Sequence, residues 1–205
     1  MASDLDRQRD WIILGATVLF AAGLGVGAVW NTWIPILIVA VLCLVWVGRS
    51  RVRPDIDLSL RSVAYGLGSG LALVALTHAG FSVAVRVFPS VLDSAELLYA
   101  RLEDPPGPLV SIPILLLAIA AEEFVWRGVV YQRLRSKLAP IPTMATGTLL
   151  YALPQFGSGT WELPVLALAM GGVWMGLRHA TKGLTVPTIN HAVWTVCIMA
   201  LLPLI

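Results

Sequence analysis

The stretch "AEEFVWRG", residues 121–128, places two adjacent carboxylates and an arginine at the end of the apolar run "LVSIPILLLAIA". Glu123 and Arg127 are four residues apart, so on a helix they share one face and can form an ion pair. Glu122 lies about 100° around the same helix and finds no partner in its own segment. A carboxylate in an apolar interior can act as a general base. The stretch therefore predicts either a structural ion pair alone or a site for acid–base chemistry.

Two later segments carry polar pairs with the same spacing. "YALPQ" places Tyr151 and Gln155 four residues apart, and "NHAVWT" does the same for His191 and Thr195. Each pair alone is compatible with helix packing or with a hydrogen bond to a neighbouring helix. Three such pairs in so apolar a chain predict a shared interior site, to which Glu122 also contributes.

The composition indicates which elements must position this site. Of the 205 residues, 58% are hydrophobic and 13% are charged, whereas about a quarter of the residues in a soluble domain are charged. Long stretches without charge predict an all-α fold, a polytopic transmembrane helical bundle. The net charge of +2 gives no indication of a nucleic-acid partner. Cys43 and Cys197 lie in apolar stretches and are predicted to be buried thiols, not a disulfide.

The bundle is predicted to contain about seven spans of roughly 20 residues each. They cover residues 11–29, 33–47, 63–85, 109–130, 142–156, 163–177 and 184–205. The stretch "VLDSAELLYARLE" between the third and fourth spans predicts a short interfacial helix. The fifth span is short, and Pro154 near its end predicts a break or a tilt. The shared site needs this distortion. Without it, the position of Gln155 along its span would place it at a different depth in the membrane from Glu122 and His191.

Basic residues in alternate connections predict that the N-terminus lies in the cytoplasm. These residues, interpreted as topology determinants, are Arg7, Arg9, Arg49, Arg51, Arg53, Arg61, Arg133, Arg135, Lys137, Arg178 and Lys182. Tryptophans at segment ends are predicted to be interfacial anchors; they are Trp11, Trp30, Trp33, Trp46 and Trp161. His179, in the basic loop "LRHATKG", is predicted to be solvated. No cleavable signal peptide is predicted, because the first apolar run continues into a second without a cleavage site.

Two of these stretches resemble motifs of the CPBP family, the CAAX proteases and bacteriocin-processing enzymes, also called the Abi family. "EEFVWRGVVYQRLR" is similar to the EExxxR motif of that family. "GVWMGLRHATKGLTVPTINHAVWT" is similar to its third motif, in which a proline, here Pro187, precedes a histidine, here His191, by four residues. The resemblance covers roughly residues 109–205, the catalytic half. Residues 1–108 resemble the family only as membrane segments with an external loop, and both parts are predicted to form one integral-membrane domain.

The resemblance implies an intramembrane endopeptidase of glutamic type, in a bacterial cytoplasmic membrane. In such an enzyme Glu122 activates a water together with a histidine, while Glu123 and Arg127 support it. The histidine of the third motif corresponds to His191. The substrate is a membrane-associated protein or peptide beside the lipid bilayer, and neither a cofactor nor a metal is required.

The chain departs from the family pattern at two positions. The second motif is FxxxH, and here Tyr151 and Gln155 occupy its two ends. Glutamine donates and accepts hydrogen bonds but does not take up a proton near neutral pH. Thr195 stands where the third motif has asparagine, and its hydroxyl can still donate to an oxyanion. A zinc site normally has three protein ligands, so the loss of a histidine argues against a metal and favours Glu122 as the base, with His191 as its partner.

Two other functions remain compatible with the sequence. One is a catalytically inactive protein of the CPBP fold that binds a peptide or a partner. The other is a transporter that uses Glu122 and Glu123 for proton coupling, against which the short chain and the absence of an internal repeat argue. Glu122→Gln distinguishes the enzyme from the binding protein, and dependence on a proton gradient distinguishes the transporter.

Overall fold

A computed structural model describes residues 2–49 and 55–205, with side chains from residue 10 onward. Of the predicted topology determinants, Arg51 and Arg53 lie outside the described residues, as do the side chains of Arg7 and Arg9. The described part of the chain is helical and contains no β-strand. The predicted all-α fold is therefore confirmed.

The α-helices follow the predicted segments closely. They are α1 Ala2–Val29, α2 Trp33–Arg49, α3 Leu60–Val87, α4 Ser90–Leu102, α5 Ile112–Glu122, α6 Tyr131–Arg135, α7 Pro140–Ala152, α8 Glu162–Thr181 and α9 Thr185–Val196. Three stretches depart from α geometry: the π-helices Glu123–Val130 and Cys197–Leu201, and the 3₁₀-helix Leu153–Ser158. The predicted interfacial helix is α4.

Helix ends follow local rules. Ser59 precedes α3, and its Oγ accepts a hydrogen bond from the backbone N–H of Ser62 at 3.3 Å, as N-cap residues do. Pro140 occupies the first turn of α7, where a missing N–H costs nothing. Pro154 lies just after α7, where the chain changes to a 3₁₀-helix, because proline cannot continue the α pattern. The break predicted at Pro154 is confirmed.

The helices pack into one bundle around the motif-bearing segment. α3 packs on α9, α2 on α5, α7 on α8, and α1 on both α2 and the 3₁₀-helix. Glycines make the α3–α9 contact close: a Cβ added at Gly66 or Gly70 would lie 2.8 Å from the Cβ of Ile189 or Val193 respectively. Small residues permit such an approach, which sets the position of α9 and therefore of His191.

Membrane-length helices are fewer than predicted within the described residues. Asp10–Val29 and Leu60–Val87 are long and apolar enough to cross a membrane, whereas Trp33–Arg49 and Thr185–Leu201 are apolar but shorter. The predicted count of about seven spans is not confirmed by this criterion. Two physical reasons contribute: the helical run 112–135 carries the charged side chains Glu122, Glu123 and Arg127, and α2 has only 17 residues.

Several side chains predicted to lie at the surface are buried. Trp33, predicted to be an interfacial anchor, is 1% exposed, and its indole N–H donates to the Asp104 carbonyl at 2.8 Å. Trp11, Trp30 and Trp161 are exposed, as an interfacial position requires. Arg133 is buried and donates to both carboxylate oxygens of Asp10, at 2.8 and 2.9 Å. The interpretation of Arg133 as a topology determinant did not anticipate this ion pair.

The two cysteines, Cys43 and Cys197, are both free, with Cys43 buried and Cys197 partly buried. This confirms the predicted absence of a disulfide.

A short segment ahead of α3 is tied to the turn between α8 and α9. The Asp55 carbonyl accepts from the Leu184 N–H at 2.8 Å, and the Asp57 N–H donates to Thr185 Oγ1 at 2.9 Å. The Asp57 carboxylate accepts from the hydroxyls of Ser62 and Ser59. These hydrogen bonds, that from Ser62 first, lower the pKa of Asp57 below its usual value.

Acid is expected to weaken the hydrogen bonds that the Asp57 carboxylate accepts from Ser59 and Ser62. Because the pKa of Asp57 is lowered in the folded protein, its contribution to stability is present above the unfolded pKa and is lost as the pH falls below about 4. The unfolding temperature of the wild type should therefore approach that of Asp57→Asn between about pH 5 and pH 3. Thermal unfolding of both proteins across this pH range measures the difference, and a constant difference would contradict the proposed contribution.

Gly157, in the 3₁₀-helix, packs directly against α1. An added Cβ would collide with the Ala21 carbonyl oxygen and lie 3.1 Å from its Cα. Because both contacts are to backbone atoms, we expect Gly157→Ala to move the 3₁₀-helix away from α1 and to cost about 1–3 kcal/mol. Thermal unfolding of the solubilised protein measures the loss. Gly80→Ala is the control, since a Cβ there meets nothing within 4 Å; equal losses in both variants would contradict the argument.

Candidate active site

The motif "EEFVWRG" lies at a change of helix geometry. Glu122 ends α5, and Glu123 begins the π-helix Glu123–Val130. π-helical turns are rare and occur frequently at functional sites. Glu123 and Arg127 are 1% and 0% exposed, and Arg127 Nη1 lies 3.2 Å from Glu123 Oε1. The ion pair predicted from their spacing is therefore present, and it is completely enclosed by protein.

His191 on α9 approaches this ion pair. Its Nδ1 lies 2.9 Å from Glu123 Oε1, and its ring stacks on the indole of Trp174 with centroids 3.5 Å apart. The sequence predicted Glu122 as the partner of His191, whereas the hydrogen bond joins His191 to Glu123. Because Nδ1 is occupied, Nε2 is the ring nitrogen that can meet another group.

Glu122 has a different partner. Its Oε2 accepts a hydrogen bond from the Tyr151 hydroxyl at 2.9 Å. The Tyr151 ring lies against the guanidinium of Arg127, with Cζ 4.3 Å from the ring centroid. The two neighbouring carboxylates are thus separated: Glu122 is bound by Tyr151, and Glu123 is bound by Arg127 and His191.

A cavity of about 170 Å³ lies beside these groups. Its walls are mostly apolar side chains of α1, α2, α5 and α8. The polar side chains that line it are Glu122, Tyr151, Gln155, His191 and Thr195. Glu123 and Arg127 are absent from the lining and lie behind it. The structure thus brings the predicted site residues together, four of them at the cavity and two in the supporting ion pair.

Gln155 and Thr195 reach the cavity for different reasons. Gln155 lies in the 3₁₀-helix after α7, so the break at Pro154 brings it to the depth of the other groups. Thr195 lies one helical turn after His191 on α9, and its buried Oγ1 has no hydrogen-bond partner in the described part of the chain. An unpaired buried hydroxyl is costly, so Thr195 has a donor and acceptor available for a ligand.

The sequence did not indicate the residues that hold His191 in place. Trp174 on α8 donates from Nε1 to Asn190 Oδ1 at 2.9 Å, and Asn190 donates from Nδ2 to Ser69 Oγ at 3.0 Å. These two hydrogen bonds fix the plane of the Trp174 indole on which His191 stacks. A tryptophan in an apolar helix is typical of any core, so the type and spacing of Trp174 did not indicate its contact with His191. Asn190, a polar side chain next to His191, was the feature of the sequence that could have indicated this support.

Arg178 supports the π-helix from outside. It is buried and donates from Nε to the Arg127 carbonyl at 3.0 Å, while Nη2 lies 3.3 Å from Asp55 Oδ2. Its guanidinium also covers the Tyr131 ring at 4.9 Å. Tyr131 in turn hydrogen-bonds His179 Nδ1 at 2.8 Å. The prediction that His179 is solvated is therefore wrong, because the ring is half-buried against Tyr131.

A metal site was not predicted from the sequence. Among the described residues, no group of three or more His, Cys, Asp or Glu side chains is placed to hold a metal ion. The chemistry available from the described side chains is that of one carboxylate facing a cavity, an imidazole oriented by a second carboxylate, and uncharged hydrogen-bond donors.

Comparison with known proteins bears on the same part of the chain. Residues 105–197 match the family model described as type II CAAX prenyl endopeptidase Rce1-like. No curated protein and no solved structure matches the chain significantly. The matched range contains both stretches on which the resemblance to CAAX proteases was based, residues 122–135 and 172–195. The resemblance to CAAX proteases is therefore confirmed as a similarity over residues 105–197.

Proposed function

We propose that this protein is an intramembrane endopeptidase of glutamic type, which hydrolyses a peptide bond of a membrane-associated protein or peptide. The observation that carries the proposal is the position of Glu122. Its carboxylate lines an otherwise apolar cavity together with His191 and Thr195. The family match supports peptide hydrolysis in general, and the geometry supports a carboxylate as the group that activates water.

The distribution of polarity supports a location in the lipid bilayer. Large apolar side chains cover the outside of α1, α2 and α3, for example Val18, Ile38 and Leu76. The charged pair Glu123 and Arg127 lies at the centre of the bundle. A soluble protein has the reverse arrangement, whereas intramembrane charges face the bundle interior. A polytopic bundle with its N-terminus in the cytoplasm of a bacterium remains part of this proposal.

Hydrolysis begins with a water between Glu122 and the scissile carbonyl. A carboxylate oxygen of Glu122 takes one proton from the water as the water oxygen bonds to the carbonyl carbon. The electron pair of the C=O double bond moves onto oxygen. Thr195 Oγ1 and the Gln155 amide both line the cavity and donate hydrogen bonds to this oxyanion.

Collapse of the intermediate requires a proton for the leaving amine. The oxyanion reforms the carbonyl, the C–N bond breaks, and the nitrogen takes a proton from Nε2 of the protonated His191 ring. Glu123, bound to Nδ1, stabilises that protonated ring and fixes its orientation. The proton on Glu122 then returns to His191, so one water is consumed and the enzyme is restored.

Comparison of peptide termini in membranes tests the proposal. Cells that produce the wild type should contain new termini in membrane proteins, and these should disappear with Glu122→Gln and with His191→Ala, provided that each variant accumulates in the membrane to the same level. A non-catalytic binding protein predicts identical termini in all three cultures. Termini that persist with Glu122→Gln would therefore exclude the enzyme and leave the binding function.

A further inference from the structure

Tyr151 provides the hydrogen bond that Glu122 receives from the described protein. We propose that Tyr151 is a positioning residue for the reaction: its hydroxyl holds Glu122 Oε2 so that the other oxygen, Oε1, is presented to the attacking water. This inference rests on the proposed function, in which Glu122 is the base. Nothing in the resemblance to CAAX proteases assigns the hydroxyl this role, since the second motif has phenylalanine at this end.

The hydrogen bond gives the two oxygens of the Glu122 carboxylate different roles. Tyr151 Oη donates to Oε2 at 2.9 Å, a normal distance for such a bond. In the described part of the chain no donor is bound to Oε1, so this oxygen is left to receive the proton of a water. Without the hydroxyl, a glutamate side chain next to a cavity of about 170 Å³ has room for other rotamers. The hydroxyl therefore selects one of them.

The ring of Tyr151 is itself held from several directions. Arg127 covers one face at 4.3 Å. Trp126 and Trp174 meet the ring edge-on, each with centroids 6.0 Å apart. Gly171 on α8 completes the enclosure, because a Cβ there would lie 2.7 Å from Tyr151 Cδ1. Because these contacts hold the Tyr151 ring in place, its hydroxyl oxygen has one position. A fixed donor of this kind is required to orient the Glu122 carboxylate.

Arg127 consequently positions both carboxylates by different means. It forms the ion pair with Glu123 at 3.2 Å, and it supports Glu122 through the Tyr151 ring. Glu122 stays free of a direct ion pair with Arg127 in this arrangement. A carboxylate paired with a guanidinium is a weaker base, so an indirect support preserves the chemistry that the proposed function assigns to Glu122.

Removal of the hydroxyl alone tests the inference by kinetics. The probe is a quenched fluorescent peptide that spans the junction identified by the comparison of termini, cleaved by the full chain in lipid nanodiscs. Hydrogen bonds to charged groups are strong, so Tyr151→Phe should lower kcat about 10- to 100-fold and leave KM unchanged. The phenylalanine ring keeps the contacts with Arg127 and both tryptophans. A kcat equal to that of the wild type would overturn the inference, as would a loss confined to KM.

A spectroscopic measurement tests the hydrogen bond without any substrate. The chain has four tyrosines, so the protein labelled with ¹³Cζ-tyrosine should give few resonances, and Tyr151→Phe identifies that of Tyr151. The shift of this resonance reports the hydrogen bond of the phenol. Glu122→Ala should move it and leave the other three in place. An unmoved resonance would show that the phenol is not bound to Glu122.

Two adjacent glycines on α8 supply a matched pair of variants. Gly171→Ala should push the ring aside and lower kcat although the hydroxyl remains, and it should add little to the loss in Tyr151→Phe. Gly172→Ala is the control, since a Cβ there meets nothing within 4 Å, and it should behave as the wild type. Independent, additive losses from Gly171→Ala and Tyr151→Phe would contradict positioning through the ring.

The outcomes separate this inference from the proposed function. Loss of cleavage in Glu122→Gln with an unaltered kcat in Tyr151→Phe keeps the enzyme and rejects the positioning role. Cleavage that survives in Glu122→Gln rejects the base itself, and with it the kinetic part of the inference, whatever the tyrosine resonance shows.

Discussion

Replacement of Glu122 by glutamine is expected to abolish hydrolysis and to preserve the fold. Glutamine has the shape of glutamate, and its amide oxygen can accept the hydrogen bond from Tyr151 that Oε2 now receives. It cannot take a proton from water near neutral pH. General acid–base catalysis contributes about 10²- to 10⁴-fold to the rate, so kcat should fall by at least about 100-fold. Because a charge next to an apolar cavity is replaced by a neutral group, the unfolding temperature should stay equal or rise.

Cleavage and thermal unfolding of the same purified sample measure both halves of this expectation. Glu96→Gln is the matched control, because Glu96 is exposed on α4 and is absent from the cavity lining. The control should cleave at the wild-type rate. Cleavage by Glu122→Gln at a rate within about threefold of the wild type, far short of a general-base loss, would reject Glu122 as the base. A collapse of the unfolding temperature would instead identify Glu122 as a structural residue.

Helix positions and the approximate membership of the site could be predicted because both depend on local sequence. Apolar runs identify buried or lipid-facing helices, and spacing of four identifies side chains that share a face. The pairs at Tyr151 and His191 were found in this way. The break at Pro154 followed from the chemistry of proline. These signals need only the residues within a single segment.

The pairing of the two glutamates could not be predicted by the same means. No pattern in "EEFVWRG" indicates a π-helix, and in an ideal α-helix the direction of each glutamate relative to α9 is ambiguous. The sequence interpretation therefore joined His191 to Glu122, whereas the hydrogen bond forms with Glu123. Which carboxylate faces the histidine depends on how α5 and α9 pack, and this is a tertiary property.

The burial of charged side chains whose partners are distant along the chain also could not be predicted from the sequence. Arg178 contacts the carbonyl of Arg127, 51 positions away along the chain, and Asp55, 123 positions away. A basic residue in a short connection is typical of a topology determinant, and the local sequence contains nothing that distinguishes the two cases. The packing of α8 against the π-helix and against the segment ahead of α3 gives Arg178 these partners.

Removal of Arg127 is expected to destabilise the fold more than Glu122→Gln does. Arg127 and Glu123 are 0% and 1% exposed, so Arg127→Met leaves a buried carboxylate whose remaining ion-pair partner in the described part of the chain is His191. Breaking a buried ion pair by removing one partner costs about 3–5 kcal/mol. The Tyr151 and Trp174 rings also lose the guanidinium that covers them at 4.3 and 5.1 Å. We therefore expect Arg127→Met to unfold at much lower concentrations of SDS than the wild type.

The double variant Glu123→Gln/Arg127→Met decides whether charge or packing causes this defect. Methionine fills much of the space of the arginine stem, and the neutral glutamine no longer needs a cation. If the unpaired charge is responsible, the double variant should recover most of the stability lost in Arg127→Met, because a buried pair replaced as a whole is often neutral in stability. If the guanidinium acts mainly by packing on the two rings, the double variant should be as unstable as the single one. Recovery of the fold without recovery of cleavage would further show that Glu123, through His191, serves the reaction and not the fold alone.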